Sequence, residues 1–179
     1  MRIAKTIPLS LALAGIASPA LAMDQGDTYL GGGFGMVTYD EDGIEEAEPT
    51  VLLGRLGHFV ADNIAIEGRL GFGIGDDSVN VSGVNVDFEI DQVAGVYGVG
   101  HLPLADAFSV YGLAGFTYAE GSLSFVGLSF DDDDTDFSYG IGAQADVTEN
   151  LAGFIEWVQY LDESTYEVSA ITIGANYTF

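Results

Sequence analysis

Two arginines and two glutamates in this sequence could form an internal network of ion pairs. Arg55 and Arg69 are the bases, Glu67 precedes Arg69 by two residues, and Glu156 lies much further along the chain. Such groups can act as a gate or selectivity site in a pore, or they can neutralise one another inside a closed structure. The interior of a narrow barrel is filled by side chains, which favours the structural network.

The histidines and serines do not form the pattern of a hydrolase. A Ser–His–acid set needs its members within hydrogen-bond reach of one another. In the barrel that the turn signals of this sequence predict, Asp77 and Ser78 lie in an outer loop. His58 and His101 lie beside short turns at the opposite end of that barrel. We therefore predict that the protein is not an enzyme, has no catalytic residues and uses no cofactor.

Acidic residues are concentrated in two segments that we expect to be surface loops. Carboxylates bind Ca²⁺ and Mg²⁺, but the Gly and distal Glu of a calcium loop are missing here, and no metal site is predicted. A solvated acidic face is favoured, with capture of divalent cations as the alternative. The first segment contains Asp40, Glu41, Asp42, Glu45, Glu46 and Glu48, and the second contains Glu120, Asp131, Asp132, Asp133, Asp134 and Asp136.

The first 22 residues resemble a secretory signal peptide. Arg2 and Lys5 precede an apolar run, and Ala20-Leu21-Ala22 is a small-x-small cleavage site. We predict cleavage before Met23 and one domain over residues 23–179. That domain has 28 acidic residues, and its only lysines or arginines are Arg55 and Arg69. This charge excludes nucleic acid as a partner, and an apolar content of 48% excludes a disordered acidic chain.

Turn signals at regular intervals predict a barrel of short strands. A membrane-spanning helix needs about 18 or more consecutive uncharged residues, and no run after residue 22 is long enough. A closed barrel is the other structure that can span a bilayer. The turns near 62, 106 and 149 are short and those near 43, 83, 127 and 164 are longer, so seven turns separate eight strands.

Alternating side chains indicate which face of each strand contacts lipid. From Ile64, large apolar residues alternate with Ala65, Glu67 and Arg69, and the same pattern recurs over 137–147 and 170–179. Because an eight-stranded barrel has little interior room, the bulky face is expected to point outward. An arginine facing lipid at mid-bilayer would cost about 2–4 kcal/mol, so the charged face points inward. The register of 84–101 stays open, with a bulge expected near Asp91-Gln92.

Two segments resemble a known family. The central hairpin contains Val96-Tyr97-Gly98-Val99-Gly100 and Phe108-Ser109-Val110-Tyr111-Gly112-Leu113, and the chain ends in Ile171-Thr172-Ile173-Gly174-Ala175-Asn176-Tyr177-Thr178-Phe179. Both are similar to the small, porin-like eight-stranded outer-membrane β-barrels of Gram-negative bacteria, such as OmpX and the transmembrane domain of OmpA. The resemblance implies that the outer-membrane assembly machinery recognises the terminal strand through Ile171, Ile173, Tyr177 and Phe179.

The predicted fold is all-β, a transmembrane eight-stranded antiparallel up-and-down (meander) β-barrel in the Gram-negative outer membrane. The expected role is structural or interactive: envelope integrity, or adhesion through acidic extracellular loops. A narrow channel for small or hydrophobic solutes is the alternative, and an outer-leaflet lipid-modifying enzyme is a remote one. The expected partners are outer-membrane lipid and lipopolysaccharide, the assembly machinery, and divalent cations or host and surface ligands at the loops.

Overall fold

The computed structural model of the protein describes residues 23–41, 49–75, 77–81, 84–125, 128–162 and 166–179. The predicted signal peptide, residues 1–22, lies outside the described residues. In the described part of the chain, no helix is long and apolar enough to span a membrane. The strands are β1 (Thr28–Glu41), β2 (Thr50–Ala61), β3 (Ile64–Gly75), β4 (Asp77–Val81), β5 (Val84–Ala105), β6 (Phe108–Phe125), β7 (Leu128–Asp146), β8 (Leu151–Asp162) and β9 (Tyr166–Thr178).

The strands form a closed antiparallel meander. Apart from β3 and β4, consecutive strands pair with each other, and β1 also pairs with β9, which joins the two ends of the chain in the sheet. Both β3 and β4 pair with β5, so together they occupy one position in the wall. The barrel therefore has eight strand positions, as predicted.

The short turns lie where the sequence predicts them. Ala61 and Ile64 enclose a tight turn at Asp62-Asn63, and Asn63 adopts the left-handed conformation with φ of 62°, which asparagine tolerates better than most residues. Further short connections join β5 to β6 and β7 to β8. The centres of the turns near 43, 83, 127 and 164 lie outside the described residues.

Three strands extend beyond the others at the end of the barrel that carries the longer connections. β5, β6 and β7 have 22, 18 and 19 residues, compared with 12 in β2, β3 and β8. The pairing of β6 with β7 continues to Phe125 and Leu128, whereas β8 pairs with β7 only over Tyr139–Asp146. The pairings of 77–81 with 84–88 and of 122–125 with 128–131 therefore continue the wall.

The two faces of the wall have the polarity that the alternation predicts. On β3, Ile66 is 54% exposed on the outer face, and its neighbour Glu67 is 1% exposed inside. Outward-facing apolar residues also occur on the other strands, among them Leu56, Val96, Ile141 and Ile173. The outer surface is thus apolar and the interior contains the polar residues.

The bulge expected near Asp91-Gln92 is present and sets the register of β5. The pairing with β6 shifts by one residue between Ile90 and Gln92. Beyond the shift, Val96 lies on the outer face, and Tyr97 and Val99 are buried in the lumen. Ile90 packs against the buried core from the other side of the bulge.

Candidate functional site

Three strands bring the four predicted charged residues together at the centre of the lumen. Arg55 comes from β2, Glu67 and Arg69 from β3, and Glu156 from β8. Arg55 and Arg69 are directly opposite each other on neighbouring strands, an arrangement that is unfavourable without counter-charges. Each of the four residues is at most 3% exposed.

The two carboxylates neutralise the two guanidinium groups. Arg69 makes a forked contact with Glu156, with Nη1–Oε1 at 2.6 Å and Nη2–Oε2 at 3.0 Å, and its Nε donates to Glu67 Oε1 at 2.6 Å. Arg55 Nη1 lies 3.2 Å from Glu156 Oε2, and Arg55 Nε lies 3.8 Å from Glu67 Oε2. Forked arginine–carboxylate pairs are among the strongest charge-assisted hydrogen bonds.

Neutral side chains provide most of the remaining contacts of this network. Tyr29 donates to Glu67 at 2.5 Å, and Tyr111 donates to Glu156 at 2.9 Å. Arg55 Nε donates to Asn176 Oδ1 at 2.7 Å. The Arg55 guanidinium also lies 3.5 Å from the centre of the Phe154 ring, which is close enough for a cation–π interaction. The charges are therefore both paired and hydrogen-bonded, as burial requires.

Four aromatic rings around this network each lie opposite a glycine on the next strand. The cross-strand pairs are Tyr29 with Gly57, Tyr97 with Gly115, Tyr111 with Gly142 and Phe154 with Gly174. A Cβ atom at any of these glycines would collide with the ring or the neighbouring strand. The glycines thus leave the space in which the rings lie flat against the wall and reach the charged groups.

Replacing Gly142 with alanine should therefore disturb the network indirectly. The new methyl group would overlap the Tyr111 ring, and Tyr111 would have to leave its hydrogen bond to Glu156. We expect a loss of about 1–3 kcal/mol in unfolding free energy, as for other overpacked sites. Urea unfolding in phospholipid vesicles would measure it.

The control for this substitution is Gly100→Ala. A Cβ atom at Gly100 meets no atom within 4 Å, so this variant should stay within about 0.5 kcal/mol of the parent protein. Equal losses for both variants would show that the close approach of Tyr111 to Gly142 has no special importance.

Further layers of side chains fill the lumen on the side of the extended strands. Tyr97 Oη and Thr117 Oγ1 are 2.5 Å apart, Thr117 Oγ1 and Ser138 Oγ are 2.6 Å apart, and Ser138 donates to the Tyr160 carbonyl at 3.0 Å. Buried apolar residues complete the core, among them Val37, Val51, Val158 and Ala170. The described side chains above the charged layer are thus packed and hydrogen-bonded to one another.

Sequence reasoning missed most of the neutral residues of the site. Tyr29, Tyr111 and Asn176 bond the charged groups, and Thr117 and Ser138 form part of the layer above. Alternation alone placed Ser138 and Asn176 on the polar face of their strands. It gave no reason to select them as partners of particular groups across the barrel.

The two histidines lie beside the short turns, as the sequence predicts. His58 is exposed, and its Nδ1 lies 2.9 Å from Thr28 Oγ1. His101 lies between the rings of Phe59 and Tyr111, with centroid distances of 5.5 and 5.2 Å. Within the described residues, no group of three or more His, Asp or Glu side chains could hold a metal ion.

The acidic run differs from the expected loop. The backbone of residues 131–136 belongs to β7 and pairs with residues 117–122 of β6, so the run lies on a protruding hairpin rather than in a loop. The side chains of Asp131, Asp132, Asp133 and Asp134 lie outside the described residues, and Asp136 accepts a hydrogen bond from the backbone N–H of Phe137 at 2.6 Å. Asp40 and Glu41 end β1, and Asp42, Glu45, Glu46 and Glu48 lie outside the described residues.

The residues proposed as an assembly signal share one surface. Ile171, Ile173, Tyr177 and Phe179 are all exposed on the outer face. The backbone N–H of Phe179 donates to the Thr28 carbonyl at 3.0 Å, which fixes the end of the chain to the first strand. The described geometry thus places the four side chains where lipid or an assembly factor could contact them.

Several solved structures are similar to this chain. Ail, the attachment invasion locus protein of Yersinia pestis, is 19% identical with a TM-score of 0.66, over 87% of this chain and 99% of Ail. The N-terminal β-barrel domain of OprF from Pseudomonas aeruginosa is 15% identical, with a TM-score of 0.60 over 87% of this chain and 98% of that domain. OprG from Pseudomonas aeruginosa is also 15% identical, with a TM-score of 0.60 over 89% of this chain and 99% of OprG.

No curated protein sequence matches this chain. The profile of the outer membrane protein beta-barrel domain family, however, matches residues 9–179, which is nearly the whole chain. This agrees with the fold shared with the solved structures. The chain therefore belongs to the outer membrane protein beta-barrel domain family, which implies the outer membrane of a Gram-negative cell.

Proposed function

We propose that this protein is a non-catalytic outer-membrane barrel with a structural and surface-interaction role. The observation that carries the proposal is the filled lumen. The layer formed by Arg55, Glu67, Arg69 and Glu156 is charge-balanced, and packed side chains lie above it. An interior built in this way acts as the core of the barrel. The remaining surface for contacts with other molecules is then the extended sheet.

The extended sheet offers hydrogen-bonding edges. In the described part of the chain, the strand pairing of residues 128–134 of β7 is with β6, and the strand pairing of β4 is with β5. Strand edges can accept an additional strand from another protein. The acidic run of β7 lies along one of these edges, so a partner would meet both backbone groups and negative charge.

The distribution of charge restricts the chemistry of a partner. The only lysines or arginines in residues 23–179 are Arg55 and Arg69, and both are buried in the lumen. No lysine or arginine therefore offsets the exposed acidic residues outside the apolar face, which favours cationic partners or divalent cations. Ail was crystallised with the heparin analogue sucrose octasulfate, a polyanion that this surface would repel.

Divalent cations would also connect this surface to lipopolysaccharide. The phosphate groups of lipopolysaccharide and the acidic residues of the barrel repel each other directly. Mg²⁺ or Ca²⁺ can be shared between carboxylate and phosphate oxygens. We therefore propose cation-bridged contact with lipopolysaccharide as one part of the surface role, and assembly through the outer-membrane machinery as the route to the membrane.

Conductance measurements separate this proposal from the channel alternative. The purified parent protein in planar bilayers should show little or no steady conductance, because the charged layer and the layers above it fill the lumen. Reproducible single channels that disappear in Arg55→Ala or Glu67→Ala would contradict the structural role. They would favour a narrow channel in which these residues form the gate.

The surface role is tested by neutralising Asp131, Asp132, Asp133 and Asp134 together as asparagines. We choose substitution over deletion because the backbone of this run pairs with β6. Cells that display the variant should adhere several-fold less to a polylysine-coated surface, and the difference should shrink at high salt, where exposed charges are screened.

A matched control removes the same amount of charge from the opposite end of the barrel. Asp24→Asn, Asp62→Asn, Asp106→Asn and Glu149→Gln all change exposed residues near the short turns. This variant should assemble and adhere like the parent protein. Equal adhesion by both variants and the parent would contradict the proposed interaction role of residues 131–134. Failed assembly of the variant with asparagine at 131–134, and not of the control, would show that this acidic run is needed for folding.

A further inference from the structure

A small chamber lies inside the barrel at the end with the short turns. Met23, Phe59, His101, Gln144 and Asn176 contribute to its lining, and its volume is about 10 Å³ of space for the centre of a water molecule. A buried water needs roughly 10–15 Å³ by this measure, and two to four polar partners. The chamber is therefore of the size that one water molecule occupies.

The imidazole of His101 supplies unsatisfied polar groups to this chamber. Its Nδ1 and Nε2 are both buried, and neither has a hydrogen-bond partner among the described residues. The flanking rings of Phe59 and Tyr111 shield it on two sides. A buried polar atom without a partner costs about 1–3 kcal/mol, so a hydrogen-bonding ligand would be stabilised at this position.

Two carboxamides in the chamber wall provide further partners. Asn176 Nδ2 donates to Gln144 Oε1 at 3.0 Å, which fixes the two groups relative to each other. A carboxamide oxygen has two lone pairs and can accept a second hydrogen bond. Ser109, which is paired with Gln144 across the strands, also has a buried hydroxyl without a hydrogen-bond partner in the described part of the chain. This end of the lumen thus contains more hydrogen-bonding groups than the described protein contacts satisfy.

The segment before β1 closes the chamber from below. Asn63 N–H donates to the Met23 carbonyl, Gly26 N–H donates to the Phe59 carbonyl, and Phe59 N–H donates to the Asp27 carbonyl, each at 2.9 Å. The Gln25 side chain donates to the Val60 carbonyl at 2.9 Å. These bonds hold the Met23 side chain against the buried core. The segment 23–27 thereby covers the chamber at the short-turn end.

We propose that this chamber binds one structural water molecule, which bridges the His101 imidazole to the carboxamide groups of Gln144 and Asn176 beneath the lid formed by Met23. Water is the ligand that the volume admits, and it can donate to a bare ring nitrogen or accept from a protonated one, so it can bond whichever nitrogen of His101 faces the chamber. The lumen is then hydrated at one position below the charged layer, independently of any role of the extended strands.

The test uses the barrel in phospholipid nanodiscs with ¹⁵N-labelled histidine. The chain has two histidines, so exposed His58 serves as an internal reference. The His101 ring protons should show a nuclear Overhauser effect to water with the sign of a molecule that tumbles with the protein, whereas His58 should show only bulk-type exchange. A folded barrel in which His101 shows no water signal, or only the bulk type, would overturn the proposal.

Two substitutions examine the lid and the site separately. Met23→Ala should convert the His101 signal towards bulk-type exchange, whereas Asp24→Asn, an exposed neighbour, should leave it unchanged. Unchanged slow exchange in Met23→Ala would reject Met23 as the lid. His101→Phe should remove the bound-water signal at the Gln144 and Asn176 side-chain amides while the barrel stays folded, and survival of that signal would reject His101 as the ligand.

Discussion

Replacing Glu156 with leucine should destabilise the barrel by about 3–5 kcal/mol, because it leaves two buried guanidinium groups with a single carboxylate. Glu156 accepts hydrogen bonds from Arg69, Arg55 and Tyr111, so all three would lose a partner. The measurement is urea unfolding in phospholipid vesicles. The single tryptophan, Trp157, reports the transition.

A double substitution distinguishes loss of charge balance from loss of packing. Glu67→Leu combined with Arg69→Met removes one acid and one base and leaves Arg55 with Glu156 as a neutral pair. Because replacing a complete buried ion pair with apolar groups is often nearly neutral, the double variant should be more stable than Glu156→Leu alone, although it changes more residues. A double variant that is less stable would show that packing, rather than charge balance, determines the effect.

A half-exposed carboxylate provides the reference for the surface. Glu120 lies on β6 and accepts a hydrogen bond from the exposed Gln92, whose Nε2 lies 2.6 Å away. Because water solvates both partners, Glu120→Gln should change the unfolding free energy by less than about 1 kcal/mol. A loss as large as that of Glu156→Leu would mean that burial is not what makes the central network important.

Alternation along single strands was sufficient to predict the wall. On β3 and in the second half of β9, large apolar residues occupy most alternate positions, and the structure places them on the outer face. The signal is strong because successive side chains in a strand point to opposite faces. A register error of one residue would therefore move every apolar side chain from one face to the other. The inward position of Arg55, Glu67 and Arg69 follows from the same pattern.

The partners of the charged residues could not be predicted in the same way. Tyr111 reaches Glu156 because Gly142 lies opposite it on β7, and this pairing depends on the register between strands that lie far apart in the sequence. On β5, the bulge between Ile90 and Gln92 shifts the pairing by one residue. The alternation of side chains along the sequence is compatible with two registers of β5 at this bulge. Only the pairing with β3 and β6 selects the register that buries Tyr97.

The acidic hairpin shows a different limit of sequence reasoning. A run of like charges is typical of a solvated loop, and aspartate is depleted in strands. The run over 131–136 is nevertheless part of β7, because the β6–β7 hairpin continues on both sides of it to Phe125 and Leu128.

Replacing Phe179 with aspartate should prevent assembly into the outer membrane and leave the protein in the periplasm. We expect the amount of assembled protein to fall at least tenfold. If the assembled and periplasmic forms are treated as two states in equilibrium, this is on the order of 1.4 kcal/mol or more. Phe179 is 66% exposed on the outer face, next to Tyr177 with ring centroids 6.2 Å apart. Fractionation of cells, with heat-modified migration as the sign of a folded barrel, would measure the effect. Phe179→Leu keeps an apolar end and serves as the matched control.

Folding without the cell separates recognition from stability in this variant. A charged residue near the membrane interface costs only about 0–1 kcal/mol, and aspartate less than arginine. Purified Phe179→Asp protein should therefore still fold from urea into phospholipid vesicles, with a midpoint close to that of the parent. If it failed to fold there as well, the terminal aromatic would be a requirement of the barrel itself, because no assembly factor is present. Normal assembly in cells would reject the signal role of this end, since the same four exposed side chains, Ile171, Ile173, Tyr177 and Phe179, would then contribute only lipid contact.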